Sequence, residues 1–143
     1  MGKINWMRVF LGGLLAGVVL TILGYIALAL YLRNILDPAY AALGHPVQQT
    51  LGFQTFGIVF NLVTGILAVW LYAAIRARYG AGAKTAVCAG LAVWALERLS
   101  YDAVMAAFGL FQSKAVVADC ITALVLTVVS TLLGAWVYKE QSQ

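Results

Sequence analysis

Phe10–Leu32 reads FLGGLLAGVVLTILGYIALALYL, an apolar run without a single charged side chain. At ~1.5 Å of rise per residue, a helix of this length crosses a hydrocarbon core of ~30 Å. Three further runs follow it, Phe53–Ile75, Ala86–Phe108 and Ile121–Tyr138, each about long enough to do the same. The expected fold is therefore all-α, a four-helix transmembrane bundle with antiparallel neighbours. The 143 residues are read as a single integral membrane domain.

The composition leaves no soluble option. Hydrophobic residues make up 64 % and charged residues 10 %, where soluble domains carry roughly 25 % charged. Mean hydropathy is +0.94. The net charge of +4 does not indicate nucleic acid, because the cations stand singly at the ends of the apolar runs. Such placement sets topology instead. With the N-terminus in the cytoplasm, Lys3, Arg8, Arg76, Arg78, Lys84 and Lys139 lie inside, and Arg33 and Lys114 outside. That positive-inside bias puts both termini in the cytoplasm. Trp6, Trp70, Trp94 and Trp136 all fall in the same half.

The connections have visible causes. Asp37-Pro38 is expected to end an extended stretch and start a short helix, with Asp as cap and Pro in the first turn. Gly44 and His45-Pro46 would close it. Tyr79-Gly80-Ala81-Gly82 reads as a tight turn. The first apolar run is too long for the core of a cleaved signal peptide and reads as a retained anchor. Trp6 stands where a myristoylation motif around Gly2 needs Ser or Thr.

Small residues line the helices for close packing. Gly13 and Gly17 form a GxxxG step continued by Thr21, Gly24 and Ala27. Gly65 with Gly57 and Ala68, and Gly134 with Ala123, offer matching faces on the second and fourth spans. Whether the first stripe packs within the bundle or against a second copy is open at this point. The echo of Leu67–Trp70 in Leu91–Trp94 is too short to argue for an inverted repeat.

The third span carries Glu97, Arg98 and Asp102. A charge at a helix centre costs ~2.5–3.5 kcal/mol on the insertion scale, and each Leu, Val or Phe offsets only ~0.3–0.6. The apolar residues of this span do not cover three charges, so it needs partners. Arg98 and Asp102, four apart, are expected to pair on one helix face. Glu97 is then left as an acid without a cation, with Asn61 of the second span as its expected hydrogen-bond partner. Thr21, Tyr25, Thr127, Ser130 and Thr131 bring further polar groups to this depth. Asp37, Asp119 and Lys114 read as loop charges, His45 as a solvated turn residue, and Cys88 and Cys120 as small buried apolar residues on opposite sides of the membrane.

Two functions compete for the layer of Glu97, Arg98, Asp102 and Asn61. As structural glue it suits a non-enzymatic accessory or scaffold subunit of a membrane complex. As an intramembrane site it suits a small proton-coupled transporter or channel. No nucleophile elbow, zinc, dinucleotide or P-loop motif occurs. No catalytic residue, metal or cofactor is expected. The expected partners are the lipid bilayer and either further copies of the chain or another membrane subunit.

Tyr72-Ala73-Ala74-Ile75-Arg76, Arg78-Tyr79-Gly80, Gly82 and Lys84-Thr85-Ala86 resemble a signature of short four-span bacterial membrane proteins, as do Asn5-Trp6, Arg8-Val9 and Gly12-Gly13. The resemblance implies a multi-pass protein of a bacterial inner membrane and implies no activity. The chain departs from better-known four-span families: it lacks an acid in the first span and lacks paired cysteines.

Overall fold

The computed structural model describes residues 4–139; Gly2 and Lys3, which bear on lipidation and topology, lie outside them. Four helices run through these residues, and no strand occurs among them. They are α1 (Trp6–Ala42), α2 (Leu51–Tyr79), α3 (residues 83–107) and α4 (Ser113–Val137). Three of them, α1, α2 and α4, are long and apolar enough to cross a membrane. α3 is interrupted by a π turn at Ala95–Leu99 and carries the charged side chains.

Local chemistry sets the helix ends. The Asn5 side chain accepts from the Arg8 amide at 3.2 Å, and Thr50 Oγ1 from the Phe53 amide at 3.2 Å, capping α1 and α2. The turn between α2 and α3 has Gly80 at φ 85° and Gly82 at φ 140°, backbone angles that only glycine adopts freely. Thr85 Oγ1 donates to the Gly80 carbonyl at 2.7 Å and locks this turn.

The first connection corrects one expectation. Asp37-Pro38 starts no new helix; Pro38 lies inside α1, which continues to Ala42. Proline forfeits one backbone bond there, but the turn buries Leu32, Leu36 and Ala39 against Phe111 and Ala115 of the opposite helix end. That packing outweighs the lost bond. The expected stop holds: Gly44, at φ 77°, donates to the Ala41 carbonyl at 3.0 Å.

Neighbouring helices are antiparallel, with α1 packed on α2 and α4, and α3 on α2 and α4. At the end that holds Ile4 and Tyr138, Val9, Ala16, Val69, Tyr72, Ala89 and Ala135 form one apolar core. The glycine stripe packs inside the bundle. A Cβ on Gly13 would lie 2.5 Å from Ile66 Cα, one on Gly17 2.5 Å from Leu62 Cα, and one on Gly65 2.5 Å from the Gly13 carbonyl. Gly12 and Gly134 make the same backbone approach between α1 and α4. Toward the other end the helices part, and a Cβ added to Gly24 or Gly57 would meet nothing within 4 Å.

Candidate functional site

Glu97 and Arg98 both sit in the π turn of α3. A π turn places one extra residue in the helix and offsets the faces before and after it. Arg98 lies near enough to Asp102, four residues on, to act on it electrostatically, but the expected ion pair between them does not form. Arg98 instead donates from Nη1 to Asp119 Oδ2 of α4 at 3.0 Å. Its guanidinium also lies 5.9 Å from the centre of the Tyr101 ring.

Asp119 is thus no loop charge. It lies in the second turn of α4, 7 % exposed, and is the counter-ion of the layer. The apolar run of the fourth span begins two residues later, which hid it. A signal was present, because Ala115, Asp119 and Thr122 share one helical face by three- and four-residue steps. Asp102 is 1 % exposed, and among the described residues neither carboxyl oxygen has a hydrogen-bond partner. Asp119, Arg98 and Cys120 surround it closely enough to act on it electrostatically.

The expected Glu97–Asn61 bond is also absent. Glu97 Oε2 accepts from Thr64 Oγ1 at 3.4 Å, one helical turn from Asn61. Asn61 Nδ2 donates to Thr21 Oγ1 at 3.3 Å, and that hydroxyl donates to the Gly17 carbonyl at 2.8 Å. Among the described residues no cation pairs with Glu97. Thr127, Ser130 and Thr131 are buried, and the last two bond to carbonyls of their own helix.

The parting of the helices leaves a half-open cavity of about 430 Å³, within the range of small-ligand sites. Glu97, Arg98, Asn61, Asp119, Thr122 and Thr127 are on its wall, so three of the four residues singled out in the sequence meet in one space. The fourth, Asp102, stands behind it. The remaining wall is apolar and aromatic, with Tyr25, Phe53, Phe56 and Phe60 prominent. The cavity extends toward the connection between α1 and α2, where Tyr40, Gln49 and Gln54 border it. A second π turn, at Leu28–Leu32 of α1, also borders the cavity. Such turns are frequent at functional sites.

Other contacts hold this layer in place. Trp94 Nε1 donates to the Cys120 carbonyl at 3.0 Å, and the Tyr31 and Thr122 hydroxyls meet at 2.6 Å. The Tyr40 and Tyr101 hydroxyls lie 3.3 Å apart. Nothing in the sequence pattern marked these pairs, because each joins helices distant along the chain. The cysteines are corrected too: Cys88 is exposed and Cys120 half-buried, and both are free. No three His, Cys, Asp or Glu side chains among the described residues are arranged to hold a metal ion. The chemistry that the wall offers is proton exchange, ion pairing and hydrogen bonding at Glu97, beside an ion pair and aromatic rings.

No protein-family model matches the chain, no curated protein matches its sequence, and no solved structure matches its fold.

Proposed function

We propose that the protein is a small proton-coupled transporter that crosses a bacterial inner membrane four times, with both termini in the cytoplasm. In this reading α3 is the fourth crossing. Glu97 is the proton-exchanging acid, Asn61 a solute contact, and Arg98–Asp119 the charge pair that keeps α3 in place. The observation that carries the reading is the cavity that brings Glu97, Asn61 and the Arg98–Asp119 pair to one wall. Intramembrane acids on cavity walls commonly lie on ion or proton paths. The rival reading, an accessory or scaffold subunit, drew on a third span in need of outside partners. Arg98 finds its partner within the chain, which weakens that need.

The test is access from water. Cysteine is placed at 61 or 97 in a protein whose Cys88 and Cys120 are replaced, and cells are treated with a membrane-impermeant maleimide. We expect both positions to react, more slowly than a control at Gln48 in the first connection but far faster than one at the outward-facing Val59. Failure of both positions to react would return the first place to the subunit reading.

A further inference from the structure

The character of the cavity wall narrows what it takes. Three carboxyl groups, Glu97, Asp102 and Asp119, stand near one guanidinium, so acidic groups outnumber basic ones in the layer. Arg98 is engaged by Asp119, and Asp102 is sealed behind the wall. Glu97 is the carboxyl left on the cavity wall, held among the described residues by a long bond from Thr64. Phe53, Phe56 and Phe60 of α2 and Tyr25 of α1 border the same space and contribute ring surface. Aromatic faces attract cations, and apolar walls favour a ligand body that leaves water. An anion would have to displace Asp119 from Arg98 and then sit beside Glu97. A strongly hydrated metal ion would find too few oxygen ligands along the aromatic wall.

Building on the transporter reading, we infer that the cavity binds a hydrophobic organic cation. Its ammonium centre pairs with Glu97 and its apolar body lies along the α1–α2 aromatic wall. A proton and the cation then compete for one carboxylate, so loading one releases the other. That is the exchange a proton-coupled carrier requires.

The experiment is equilibrium dialysis of the full chain in detergent with three probes of similar shape: benzyltrimethylammonium, its uncharged isostere neopentylbenzene, and phenylmethanesulfonate. We expect benzyltrimethylammonium to bind at least tenfold more tightly than either of the others. Glu97→Gln should lose at least that factor, while Glu97→Asp retains part of the binding. Thermal unfolding of each variant verifies that it is folded. Equal binding of the cation to wild type and Glu97→Gln would overturn the inference, as would preference for the sulfonate or the neutral probe. Those outcomes still leave a ligand-binding cavity and the transporter reading intact. Absence of all binding overturns the cation class; if cysteines at 61 and 97 are also unreactive, the transporter reading falls with it.

Discussion

Arg98 shows how much one side chain decides in this bundle. It is the only basic residue in the middle of α3, and its bond to Asp119 ties that helix to α4. A hydrogen bond to a charged group contributes about 1.5–3 kcal/mol, and an abandoned buried carboxylate adds a desolvation cost. Arg98→Ala should therefore lower the stability of the detergent-purified protein by roughly 2 kcal/mol, read from thermal unfolding. Arg98→Ala combined with Asp119→Asn should recover part of the loss, whereas Arg98→Ala with Asp102→Asn should recover less. The opposite order would restore the pairing expected from spacing alone. That Glu97, Arg98 and Asp102 need partners was legible in the sequence, because their insertion cost exceeds what their span offsets. Which partners they take was not. Spacing along one helix puts Asp102 near Arg98, but it cannot show that Asp119, brought in by another helix, takes the hydrogen bond.

Among the helices, α1 and α2 are joined through glycine. Gly13, Gly17 and Gly65 bring the two backbones into direct contact, and a Cβ at Gly65 would meet the Gly13 carbonyl. Gly65→Ala should cost ~1–3 kcal/mol through overpacking. Gly24→Ala, on the same stripe but facing open space, should be neutral or slightly stabilising, since alanine is the better helix former. Equal thermal stability of the two variants would contradict this packing. The small-residue stripes were readable in the sequence; their end was not, because Gly24 continues the same pattern while the helices have already separated. The run of α1 through Pro38 was also beyond reading. A proline after an aspartate has the local form of a helix start, and only the burial of Leu36 and Ala39 against Phe111 and Ala115 reverses it.

For the bundle as a whole, the antiparallel order puts Ile4, Lys139 and the Gly80–Gly82 turn at one end, and the 43–50 and 108–112 connections at the other. Arg8, Arg76, Arg78, Lys84 and Lys139 share the first end, with only Arg33 and Lys114 toward the second. Alkaline phosphatase inserted in the 43–50 connection should be active, and a fluorescent protein fused to either terminus should light up in the cytoplasm. An inactive phosphatase would reverse the orientation, and termini on opposite sides would remove α3 as a crossing. The helical class and four apolar runs followed from composition and hydropathy alone. The cavity did not, since it depends on where two helices diverge.

The glycine contact between α1 and α2 has a mechanical consequence. It clasps the two helices near one end, while their far arms separate and border the cavity. The α1 arm is held again at its tip, where Leu36 and Ala39 pack on Phe111 and Ala115, so α2 is the arm without that second hold. From Gly65 to Leu51 the α2 arm is about 21 Å by helical rise, and a change of about 5° in its angle would displace its tip by roughly 1.8 Å. The width of the cavity mouth is thus set at a distance, by how closely three glycines let two backbones approach.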